Sequence, residues 1–90
     1  MQADPNKITR LLKTAQGQLE GILRMVEEDR YCLDISGQIM AADAILRRAN
    51  REVLQAHLDR CVLDAVESGD REAARQKLSE LAGVLEKLMK

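Results

Sequence analysis

The sequence predicts an all-α protein, and three observations carry that expectation. Apolar residues recur at i, i+3, i+4 and i+7 along nearly the whole chain. No stretch alternates with the period of two that marks a strand. The two places where the helical rhythm breaks, residues 27–30 and 68–70, carry helix stop and start residues. With one Tyr and no Phe or Trp among 90 residues, the core must be built from Leu, Ile, Val, Ala and Met, which suit close helix packing. One domain over residues 1–90 is expected. A chain this short buries a modest fraction of its surface, so oligomerisation is a natural way to complete its core.

The first helix is expected from about residue 5 to about residue 28. Asp4 followed by Pro5 reads as an N-cap with proline at the first helical position. Ile8, Leu11, Leu12, Ala15, Leu19, Ile22, Leu23 and Val26 then repeat at helical spacing. Glu27-Glu28-Asp29-Arg30 is the turn, with Asp29 placed to cap the next helix.

The second helix is expected from about Tyr31 to about Glu67. Ile35, Ile39, Ala42, Leu46, Ala49, Val53 and Leu54 form one stripe, which His57, Leu58, Cys61, Val62 and Ala65 continue. Leu33, Met40 and Ile45 widen it, as for a helix packed against two neighbours. Its length exceeds the ordinary globular helix and implies a bundle or coiled-coil partner. Ser68-Gly69-Asp70 ends it, with Gly69 past the C-terminus and Asp70 capping a third helix from about residue 71 to about 89. Ala74, Leu78, Leu81, Leu85 and Leu88 form the apolar face of that helix.

Three soft-metal ligands stand on the second helix: Cys32, His57 and Cys61. His57 and Cys61, four apart, lie one above the other on one helix face. Cys32 is 25 residues before His57, about 37 Å away at 1.5 Å per residue if the helix is unbroken. One chain cannot bring all three together. Two antiparallel copies could, with Cys32 of one meeting His57 and Cys61 of the other. Two thiolates and one imidazole suit Cu(I) in a three-coordinate site, whereas structural Zn²⁺ normally takes a fourth ligand. The spacing alone leaves the bland reading open, because free cysteine often serves as a small buried hydrophobe and a lone histidine on an apolar face often belongs to the core. Tyr31 reads either as packing at the helix start or as a hydroxyl that orients the ligand imidazole. Met25, Met40 and Met89 read as core filling.

The formal net charge of −1 does not favour nucleic-acid binding. Arg47, Arg48 and Arg51 cluster in mid-helix all the same. They read as a solvated face or, gathered by oligomerisation, as phosphate contacts; Arg48 and Arg51, three apart, share a face. No apolar run is long enough to cross a bilayer and no secretory h-region follows Met1, so a cytoplasmic protein with free thiols is expected. No nucleophile–base–orienter set is visible, so the chain is not expected to be an enzyme.

The segments LLKTAQGQLEGILRMVEEDRYCLDISGQI and RRANREVLQAHLDRCV resemble the CsoR/RcnR family of bacterial metal-responsive transcriptional repressors, and in particular its copper-sensing type. The motif is YC at the start of the second helix and HxxxC farther along it. The resemblance implies a three-helix protomer, an antiparallel four-helix-bundle dimer and dimers paired into a homotetramer. It implies an apo form that binds operator DNA upstream of efflux or chaperone genes and leaves it on binding Cu(I). It assigns the Cu(I) ligands to Cys32 of one protomer with His57 and Cys61 of its partner. Nickel, cobalt and formaldehyde relatives replace the last cysteine, and persulfide sensors lack the histidine, so Cys/His/Cys favours copper. Three positions depart from the family pattern: Lys77 stands where copper sensors carry a glutamate that bonds the Tyr and His, and Leu11 and Gln16 stand where arginines are common. Arg48 keeps the basic position. A cytosolic copper-buffering protein that does not bind DNA, and a thiol or persulfide sensor on the same fold, are the rival expectations.

Overall fold

A computed structural model describes residues 1–89. Its elements are three α-helices: α1 (Pro5–Glu27), α2 (Cys32–Ser68) and α3 (Arg71–Met89); no strand occurs among the described residues. By their contacts the residues fall into two compact units, one of Asp4–Glu52 and one of Met1–Ala3 with the chain from Val53 onward. The division falls within α2, which runs without interruption for 37 residues.

In the Asp4–Glu52 unit, Asp4 caps α1: its Oδ1 accepts from the Asn6 amide at 3.0 Å and its carbonyl accepts from the Ile8 amide at 3.1 Å. Pro5 follows at the first helical position, where the missing N–H costs nothing. Ile8, Ala15 and Ile22, seven apart, are the buried residues of α1, and Ala42 and Ala49 are those of α2 in this unit. The alanines among them, Ala15, Ala42 and Ala49, are small enough to let helix backbones approach closely.

The turn between α1 and α2 differs from expectation. Asp29 does not cap α2. It has φ 54°, its amide donates to the Val26 carbonyl at 3.1 Å, and the Arg30 amide donates to the Met25 carbonyl at 3.0 Å. That pair of bonds is a Schellman stop on α1 with Asp29 in the left-handed position that glycine usually takes. The carbonyl that opens α2 belongs to Tyr31, which accepts from the amides of Asp34 at 3.0 Å and Ile35 at 3.1 Å; α2 therefore begins at Cys32, one residue later than expected. Aspartate tolerates positive φ better than most residues, but less well than glycine. Asp29→Gly is expected to stabilise the fold by roughly 0.5–1 kcal/mol, net of the greater freedom glycine has when unfolded. Thermal unfolding at matched protein concentration would show the gain.

In the second unit Gly69, at φ 68°, ends α2. Asp70 starts α3, its Oδ1 accepting from the amides of Glu72 and Ala73, both at 3.1 Å. Cys61, Leu81 and Ala3 are the buried residues of this unit. Leu78 and Leu85, expected on the apolar face of α3, are exposed in part.

The protein buries little of its large apolar surface. Leu12, Leu19, Leu23 and Val26 of α1, and Leu33, Ile39, Met40 and Leu46 of α2, are all exposed, although the sequence pattern puts them on core-facing stripes. Each helix thus carries a second apolar face that its own unit does not cover. No described helix is long and apolar enough to cross a membrane.

Candidate metal centre

Cys32 is the first residue of α2; its thiol is free and exposed. Tyr31, just before it, is 64% exposed and lends its backbone carbonyl to the helix start, which fixes the chain on either side of the thiol. Both residues belong to the Asp4–Glu52 unit.

His57 and Cys61 belong to the second unit. Their four-residue spacing stacks them on one face of α2, yet their surroundings differ. His57 is exposed and lines a hollow of about 500 Å³ with Val53, Leu54, Glu80, Leu81 and Val84, which Met1 and Gln2 also line. Cys61 is 6% exposed, a free thiol, and lines a separate hollow of about 410 Å³ with Asp64, Ala73, Ala74 and Lys77. Successive turns of α3 serve the two hollows: Ala73, Ala74 and Lys77 one of them, Glu80, Leu81 and Val84 the other. Lys77 accordingly stands by Cys61, and the carboxylate that shares a hollow with His57 is Glu80. The involvement of Met1 and Gln2 was not legible in the sequence, since neither residue type at a chain start signals a contact.

Among the described residues no three His, Cys, Asp or Glu side chains of this chain are grouped as a metal ion requires. His57 and Cys61 offer one nitrogen and one sulfur, a pair that needs further donors.

The arginine cluster divides as well. Arg47 is held by Asp43 on the same helix, Nε to Oδ2 at 2.9 Å. Arg48 and Arg51 are exposed and make no ion pair among the described residues. Glu52, the obvious helix-face partner for Arg48 at i+4, is instead bonded to Lys7 of α1, Nζ to Oε1 at 3.0 Å.

The family model described as "Metal-sensitive transcriptional repressor" matches residues 4–87, almost the whole chain. The chain belongs to this family of metal-sensitive transcriptional repressors. Among its relatives, a copper-sensing transcriptional repressor CsoR of Bacillus subtilis (strain 168) is 44% identical over 87 residues, covering 97% of this chain and 83% of that protein. The mycobacterial CsoR proteins are longer: the stretch that this chain matches at 48% identity is 56% of the Mycobacterium tuberculosis protein's length. Among solved structures, the copper-sensing repressor CsoR with Cu(I) from Geobacillus thermodenitrificans NG80-2 superposes with a TM-score of 0.81 at 38% identity, covering 94% of this chain and 85% of that one. The nickel-responsive transcriptional regulator InrS superposes equally well, with a TM-score of 0.83 at 28% identity over 98% of this chain and 96% of that one. The fold is therefore common to a copper-sensing repressor and a nickel-responsive regulator. The family is one of repressors and not of enzymes.

Proposed function

We propose that this protein is a Cu(I)-responsive, cytoplasmic transcriptional repressor of one domain, active as a homodimer or homotetramer, that binds operator DNA without metal and leaves it when Cu(I) is bound. The observation that carries the metal is the donor set: two free cysteine thiols and one exposed imidazole. A soft, low-coordinate ion fits two sulfurs and a nitrogen better than Ni²⁺ or Zn²⁺ does. The copper-sensing relatives support the same choice. Cys32 of one protomer, with His57 and Cys61 of its partner, is the proposed ligand set. The grouping of fewer than three candidate donors within the described chain supports a shared site, as do the uncovered apolar faces of α1 and α2, which a second copy would bury.

Each side chain then has a task. Cys61, buried on α2, is the sulfur donor that accompanies His57 from the same chain. His57, one turn earlier and exposed, presents its nitrogen to the partner's thiol. Cys32, at a helix start anchored by the Tyr31 carbonyl, is the donor from the second chain. Tyr31 is proposed to orient the imidazole through its hydroxyl. Glu80, across the hollow from His57, is the carboxylate of this chain positioned for the role that Lys77 cannot fill. When bound, Cu(I) supplies metal–ligand bonds that tie α2 of one protomer to α2 of the other. A tie of this kind shifts DNA binding only if the two quaternary shapes bind the ion with different affinity, and couplings of about 1–3 kcal/mol, or 5- to 150-fold, are usual. Arg48 and Arg51, exposed and unpaired among the described residues, are proposed to contact the phosphates.

The test is a titration of apo protein on the DNA upstream of its own gene, repeated with Cu(I). Binding by the apo form and at least fivefold weaker binding with one Cu(I) per protomer are expected. Tight Cu(I) binding by a protein that ignores this DNA would replace the repressor with a copper buffer, the reading that Leu11 and Gln16 would then explain.

A further inference from the structure

We infer that Lys7 is a DNA phosphate contact of this repressor and that Glu52 is its built-in competitor, a carboxylate that occupies Lys7 until phosphate displaces it. This rests on the reading of Arg48 and Arg51 as phosphate contacts.

Lys7 lies in the first turn of α1 and Glu52 in the middle of α2, and the two meet at 3.0 Å with side chains 43% and 36% exposed. The ion pair brings the start of α1 to the stretch of α2 that carries the free arginines. Arg51 directly precedes Glu52, and Arg48 is one turn before it. At 100° per residue, positions 48, 51 and 52 span an arc of about 100° on α2. Lys7 holds Glu52, and the two unpaired arginines lie on the same stretch of α2 within the Asp4–Glu52 unit. With Glu52 taken by Lys7, the charges of Arg48 and Arg51 are left without an ion-pair partner among the described residues, on a chain whose net charge is −1.

An exposed pair of this kind is held weakly and is screened by salt. Duplex DNA offers Lys7 a far denser array of negative charge than one carboxylate, and a lysine ammonium is a compact point charge that exchanges partners readily. Glu52 lowers the attraction of the patch for any duplex, and so sets how much non-operator DNA the protein holds.

The experiment compares Lys7→Ala and Glu52→Gln, because both break the ion pair while only the first removes a cation. Operator and non-operator duplex binding by the apo full-length protein is measured between 50 and 300 mM KCl, with thermal unfolding measured alongside. Lys7→Ala is expected to weaken binding to both duplexes about three- to tenfold and to flatten the salt slope by about one for each protomer touching DNA. Glu52→Gln is expected to tighten binding to both, and proportionally more to the non-operator duplex. Lys7→Arg should bind as wild type does. If Lys7→Ala and Glu52→Gln shift DNA binding in the same direction, the pair only braces α1 against α2 and the inference fails. If Lys7→Ala leaves affinity and slope unchanged while Arg48→Ala reduces both, Lys7 is not a contact and the arginine reading stands. If Arg48→Ala also changes nothing, the DNA face lies elsewhere and both readings are overturned.

Discussion

Cys32→Ala and His57→Ala proteins are each expected to lose more than about 100-fold in Cu(I) affinity, since even partners that only orient a metal ligand cost 10- to 100-fold when removed. Equimolar mixing of the two should restore part of the loss. A mixed dimer pairs Cys32 of the His57→Ala chain with His57 and Cys61 of the Cys32→Ala chain, giving one complete site, while its second site lacks both Cys32 and His57. The parent dimers have no complete site. Random exchange should therefore yield tight binding in about half the dimers, at one ion each, and competition with a Cu(I) chelator would measure it. X-ray absorption on that population, as on wild type, should give two sulfurs and one nitrogen. Mixed dimers that bind no better than either parent would place all the ligands on one chain. A four-ligand tetrahedral shell would point to zinc.

Much of this fold was legible because short-range chemistry decides it. Asp4-Pro5 and Gly69-Asp70 act through bonds two or three residues long, and both behave as their residue types require. The first turn was misread for an equally local reason. Asp29 suits either a helix start or a left-handed stop, and the acceptor carbonyls of Met25 and Val26 prevailed, leaving Tyr31 to begin α2. Long-range pairings were less accessible. Periodicity marks Leu12, Leu19, Ile39 and Leu46 as residues that face something, but it does not say whether the cover is the same chain or another copy, and here the chain's own units leave them open. Helix spacing offers Glu52 as a partner for Arg48 at i+4, whereas Lys7, 45 positions away in sequence, takes it. The candidate donors Cys32, His57 and Cys61 could be named from spacing and residue chemistry. The division of His57 and Cys61 between two hollows, with Glu80 at one and Lys77 at the other, depends on how α3 is phased along α2, which no single-helix pattern encodes.

Arg48→Ala is expected to abolish detectable operator binding at physiological salt while leaving Cu(I) affinity nearly unchanged. Arg48 is exposed and its natural intrahelical partner is engaged by Lys7, so the truncation breaks no ion pair and should alter stability by no more than about 0.5 kcal/mol, as for other surface changes. Its effect on DNA is larger because the loss repeats in every protomer of the assembly that meets the duplex. One phosphate contact contributes close to one unit of slope in log K against log salt. Two protomers on one operator would lose two contacts, and four would lose four. Affinities of both operator and non-operator DNA should fall together, since phosphate contacts carry no sequence information directly. Arg51→Ala, on the same helix face, should act in the same direction, and Arg47→Ala much less, because Asp43 already holds that guanidinium at 2.9 Å. Wild-type operator affinity and an unchanged salt slope in Arg48→Ala would remove this face from the DNA contact. Cu(I) affinity separates a lost contact from a damaged fold: the proposed ligands Cys32, His57 and Cys61 lie at least nine positions from Arg48 along α2, more than two helical turns, so a variant that loses both activities has misfolded, and one that loses only DNA has lost the contact.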